Sequence, residues 1–212
     1  MKADRHTIVR NGRGSPPVDR VPTSRVPDDV LLDAARTCVL TTGVRRTTLT
    51  DIARTAGVSR MTLYRRFPDV RSVLAALMTR EFGALLRRVT AEIDTALPAR
   101  RRLVELGTAA VRALTTDPLL RTVLDKDAEL LLPYITERLG STLLLAVDVV
   151  DGLVRAGHAD GSVRRGKPEV QARALLLTVQ SFILSWRPAT ENVPDEALLS
   201  ELRHLLDRSL IP

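Results

Sequence analysis

The chain has 212 residues, with 32 Lys and Arg against 25 Asp and Glu and a formal net charge of +7. That length carries one or two domains with a packed core, and 44% apolar residues argue against wholesale disorder. A lone cysteine excludes a disulfide scaffold and a cysteine-cluster zinc site.

The longest uncharged stretch toward the C-terminus is residues 174–186, short of the roughly 20 apolar residues that a membrane helix needs. Residues 1–27 lack the apolar h-region of a secretory signal. The chain therefore reads as soluble and cytoplasmic, with no membrane span. Its charge is uneven. Residues 1–70 hold 13 basic and 7 acidic side chains, whereas residues 71–212 hold 19 and 18. A local positive field attracts phosphate polyanions or an anionic membrane surface, and nucleic acid is the favoured partner.

Residues 1–27 contain Pro16, Pro17, Pro22 and Pro27 and almost no apolar periodicity, which predicts a flexible basic arm. Helix 1 is expected over 28–42, with Val30, Leu31, Ala34, Ala35, Cys38 and Val39 on one stripe and Asp28 and Asp29 at its positive end. Cys38 on that stripe reads as a small core residue. Helix 2 is expected over 49–56, capped by Thr48 and closed by Gly57. Helix 3 follows at once from its N-cap Ser59, with Val58, Leu63 and Phe67 facing inward. Two short helices with a tight glycine turn between them form a helix-turn-helix. Its second helix turns Arg60, Met61, Thr62, Tyr64, Arg65 and Arg66 outward. Guanidinium forks suit guanine edges and phosphates, hydroxyls suit phosphates, and apolar atoms suit a thymine methyl.

The run Asp51-Ile52-Ala53, then Ala56-Gly57-Val58-Ser59, then Leu63-Tyr64 and Phe67 resembles the DNA-binding domain of TetR-family transcriptional regulators. The resemblance implies a three-helix DNA-binding domain over 28–72 and a helical ligand-binding and dimerisation domain over 73–212, an all-α chain of about nine helices. It implies that Thr48 and Tyr64 hold backbone phosphates. Arg60, Met61 and Thr62 would approach base edges, with Ser59 beside them. Arg65 and Arg66 would meet phosphate or the groove rim. The family often has Lys three residues after the Phe, where this chain has Val70; Arg71 next to it is the substitute. Met61 stands where the family often has Gly, which alters the bases that fit.

Helix 4 is expected over 69–94 and helix 5 over 99–116, with shorter helices to Tyr134. Helix 7 is expected over 136–156, ending near Gly157, then helix 8 over 168–186 and helix 9 over 195–210. Asp148 and Asp151 interrupt helix 7. They read as ion-pair partners of Arg155 or of another helix's Arg, or as contacts of a polar ligand group. Helix 8 is apolar nearly all round and must be covered on every side. A two-fold dimer would do this through Leu176, Val179 and Ile183 of helix 8 and Leu199, Leu202 and Leu206 of helix 9. The alternative makes helix 8 the central helix of its own domain. By the resemblance, a small-molecule effector sits among the C-terminal helices. Its candidate lining is Met78, Phe82, Leu106, Ala110, Tyr134, Leu144, Val147, Phe182 and Trp186, which suits a lipophilic ligand.

The histidines are His6, His158 and His204, none at metal or nucleophile spacing. Neither catalysis, nor a cofactor, nor a metal is expected. The reading is a sequence-specific regulator, by default a repressor, that binds a palindromic operator as a homodimer and is released by its effector. The competing reading is a non-specific or architectural DNA binder without an effector.

Overall fold

A computed structural model describes residues 26–127 and 141–212. These residues form nine helices and no strand. They are α1 (Asp28–Thr42), α2 (Leu49–Thr55), α3 (Arg60–Tyr64), α4 (Val70–Glu92), α5 (Ala99–Thr116), α6 (Pro118–Asp127), α7 (Ser141–Ala159), α8 (Pro168–Ala189) and α9 (Asp195–Leu210). Most of the basic arm and Tyr134 lie outside the described residues.

The N-terminal core is built on α1, whose Leu31, Leu32, Ala34, Ala35, Cys38 and Val39 are buried. Val30, expected on that stripe, is 41% exposed, because the buried arc is centred on Leu31 and Ala35. Ile52 and Ala53 of α2, Leu63 of α3 and Phe67 close the unit. The cluster does not stop there. Val73 and Leu77 of α4 and Leu119 and Val123 of α6 belong to the same core. Fully burying one such aliphatic side chain is worth about 1.5–3 kcal/mol, so a five-residue α3 is held by Leu63 rather than by its own helical propensity.

The second core gathers around α5. Leu103, Val104, Leu106 and Val111 pack with Leu85 and Val89 of α4, Val150 and Val154 of α7, Val179 and Trp186 of α8, and Leu199, Leu202, Leu206 and Leu210 of α9. The apolar stripe of α9 is thus spent inside its own chain.

Two ends differ from the sequence expectation for a physical reason. Helix α7 runs past Gly157 to Ala159. Gly157 is there for close approach: a Cβ would stand 2.8 Å from Cβ of Val163. The left-handed turn is made instead by Gly161, at φ +74°. Helix α8 takes Pro188 into its last turn, where few backbone bonds remain to be lost.

Candidate nucleic-acid interface

Local chemistry sets the geometry of α2 and α3. Thr48 Oγ1 accepts the N–H of Asp51 at 3.1 Å and donates to Asp51 Oδ2 at 2.6 Å, which caps α2. The Asp51 carboxylate also takes Arg54 at 2.9 Å. Gly57 turns the chain at φ +67°, a backbone that side-chain-bearing residues rarely adopt. Ser59 Oγ then accepts the N–H of Thr62 at 3.1 Å, and the two hydroxyls pair at 2.8 Å. Thr48, Ser59 and Thr62, all expected at the DNA, therefore also hold the motif's shape through their hydroxyls.

What remains outward is specific. Met61 is 68% and Tyr64 48% exposed, and Arg60 and Arg65 are exposed beside them. Arg66 is exposed too, but it forms an ion pair with Asp28 of α1. That hydrogen bond holds its guanidinium more firmly protonated than usual. It braces α3 against the start of α1, a partner 38 residues away that no local pattern announces. Val70 opens α4 and packs partly on the core, so the cation next to the motif is the exposed Arg71. Exposed Arg45 and Arg46, in the turn before α2, add positive charge that the motif reading overlooked.

Asp69 caps α4 through a reciprocal pair with Ser72, which fixes where α4 leaves the motif. Arg80 then ties α4 to α1 by reaching Asp33 at 2.8 Å, and is itself held by Glu81 of its own helix at 2.7 Å. Burial opposes its charge, yet these hydrogen bonds outweigh burial and raise its pKa.

A cavity of about 270 Å³ lies among α4, α5, α7 and α8. Of the expected lining, Phe82, Leu106 and Ala110 face it. Leu86, Leu103 and Gln180 join them; the stripe of one helix cannot show which of its apolar residues border a void. Met78 packs on the N-terminal core and Phe182 and Trp186 on the second one. Val147 is buried away from the cavity, and Leu144 is 47% exposed.

Residues 31–77 match the family described as bacterial regulatory proteins, tetR family. An uncharacterized HTH-type transcriptional regulator of Mycobacterium bovis is 38% identical over 177 residues, which is 84% of this chain and 90% of that protein. The chain belongs to the TetR family. It is a helix-turn-helix transcriptional regulator, and its matched relatives are regulators rather than enzymes. The TetR-type fold recurs at low identity. The regulator FadR of Bacillus subtilis, solved in complex with stearoyl-CoA, superposes with a TM-score of 0.66 at 20% identity, covering 87% of this chain and all of that one. A Rhodococcus sp. RHA1 protein of unknown function gives 0.66 at 22%, covering 87% of this chain and 95% of that one.

In this TetR-family chain, the residues expected at a dimer face turn inward. Leu199 and Leu202 are buried in the second core. Leu176, Val179, Ile183 and Leu206 line the cavity. The large apolar residues of α8 and α9 left uncovered are Val170 and Leu177, more than 60% exposed, and Leu205. Asp151 pairs with Arg155 at 2.6 Å, one turn along α7. No described helix is long and apolar enough to cross a membrane.

Proposed function

We propose that the chain is a cytoplasmic repressor that binds a palindromic operator as a homodimer and leaves it when a lipophilic effector fills the cavity. The observation that carries the DNA-binding half is the outer face of α3. Arg60, Met61, Tyr64 and Arg65 stand exposed on a helix whose inner face is fixed by Leu63. A short helix of this kind enters the major groove. Arg60 and Met61 read base edges, and Tyr64 and Arg65 hold the backbone.

The homodimer reading is supported by α8. Val170, Ala174, Leu177 and Ser181 recur along one face, and all four are exposed. Val170 and Leu177 are large apolar side chains left exposed on this face, with the small Ala174 and Ser181 beside them, and a two-fold contact covers such a face on both chains at once. Two α3 helices related by that axis read half-sites about 34 Å apart or more.

The effector half follows from the cavity, whose lining is aliphatic and aromatic apart from Gln180. The solved neighbour's stearoyl-CoA is of the same lipophilic class. Fluorescence anisotropy on DNA from upstream of the chain's own gene, at near-physiological salt, tests both halves. Specific repression predicts a preference over random DNA of about 10³ or more, and loss of binding when oleate or stearoyl-CoA is added. Equal affinity for both DNAs, falling steeply with salt, would mark the architectural binder instead.

A further inference from the structure

A second recess, a cleft of about 380 Å³, lies between α4, α5 and α7. It is lined by Thr90, Ile93, Arg102, Leu106, Asp148 and Leu153 among others. Thr90 Oγ1 and Arg102 Nε are buried there with no hydrogen-bond partner among the described residues. Native proteins rarely leave such atoms unpaired, because the lost hydration is not repaid. Arg102 is close enough to Asp160 to help hold that carboxyl below its usual range. Asp160 itself is occupied by the backbone N–H groups of Ala99 and Ser162, each at 2.8 Å. Leu106 lines both this cleft and the apolar cavity, so the two spaces adjoin at that side chain. Among the described residues, no charged side chain lines the cavity.

We propose that the cleft is an oxyanion subsite in which Arg102 and Thr90 receive the singly charged head of an amphiphile whose hydrocarbon tail occupies the cavity. The proposal rests on reading the cavity as the effector site. A guanidinium and a hydroxyl are the donors a carboxylate takes. Asp148, in the same cleft, repels a second negative charge and so favours a carboxylate over a phosphate monoester, which carries nearly two charges at neutral pH.

The test measures binding of dodecanoate, dodecanol and dodecyl phosphate to the full chain by titration calorimetry, below their micelle-forming concentrations. The same is done for Arg102→Gln and Thr90→Val. Dodecanoate is expected to bind about tenfold or more tighter than dodecanol, and tighter than dodecyl phosphate. Arg102→Gln removes that preference and leaves dodecanol binding unchanged. Thr90→Val leaves the melting temperature of the unliganded protein unchanged, because it removes an unpaired hydroxyl. Equal binding of dodecanoate and dodecanol, or a preference that survives Arg102→Gln, overturns the subsite and leaves the cavity reading standing. A lower melting temperature for unliganded Thr90→Val would make that hydroxyl structural and overturn it as well. Binding of none of the three probes overturns both readings together.

Discussion

Arg60 and Tyr64 lie on the same exposed face of α3 and are expected to fail differently. Arg60 sits at the first position of the helix, beyond the Ser59 cap, with no ion pair among the described residues to hold it back. A guanidinium that forks onto one base contributes discrimination there. Arg60→Ala should therefore cost about 1–3 kcal/mol on the operator and relax base preference near one position of each half-site. Competition anisotropy with single-base operator variants reads this, and an unchanged variant profile refutes the assignment. Tyr64 lies one turn further on, where its hydroxyl suits a phosphate. Tyr64→Ala should weaken binding to operator and random DNA by the same factor, and loss confined to one base position would contradict a backbone role. Arg66 shows where residue-level reading stops. Its sequence position marks it as another DNA contact, yet its guanidinium is engaged by Asp28. A free arginine and a braced one are written alike in the sequence.

Helix ends were legible where the signal is local. Thr48, Ser59 and Gly57 act within three or four residues of themselves, so the cap and turn chemistry that frames α2 and α3 could be read directly. Gly157 was not legible in that way, because a glycine near a helix end looks the same whether it terminates the helix or admits a neighbour. Here it admits Val163. Gly157→Ala places a methyl 2.8 Å from Val163 Cβ, an atom fixed to the backbone. The expected loss is about 1–3 kcal/mol, the usual range for overpacking. Urea unfolding measures it, and an unchanged midpoint would show that the Val163 loop yields freely. Next to it, Asp160 secures the start of α5 by accepting the Ala99 N–H at 2.8 Å. That bond, helped by Ser162, holds the Asp160 carboxyl below its ordinary range. A lowered folded-state pKa stabilises above the unfolded value, and the benefit disappears as pH falls through the folded one. Asp160→Ala should thus cost about 1 kcal/mol at neutral pH, the size of a helix cap, and the gap from the parent should close in acid. A gap independent of pH would refute the carboxylate's part.

At the scale of the molecule, the periodicity of α8 and α9 fixed that these helices are buried but not what buries them. Leu199, Leu202 and Leu206 form the same stripe whether a partner or α5 covers it, and here α5 does. That choice leaves room for the cavity and sets up its link to the DNA-binding unit. Helix α6 is the link. Leu119 and Val123 are buried in the N-terminal core against α1, while Leu120, next to Leu119 on the same short helix, lines the cavity. An effector in the cavity meets Leu120, and any shift it imposes on α6 is felt at Leu119 and Val123 in the N-terminal core. If effector binding shifts α6 in this way, the coupling between effector and DNA is reciprocal. Leu120→Ala shortens the contact with the effector and leaves Leu119 and Val123 in place. DNA affinity of the unliganded variant should stay within about twofold of the parent. The loss of DNA affinity caused by saturating effector should shrink by about tenfold or more, and DNA should weaken effector binding by the same reduced factor, since typical coupling energies are about 1–3 kcal/mol. Anisotropy with and without effector gives the first quantity, and calorimetry with and without operator gives the second. Full release of DNA from Leu120→Ala would leave α4 as the route by which the cavity reaches α3.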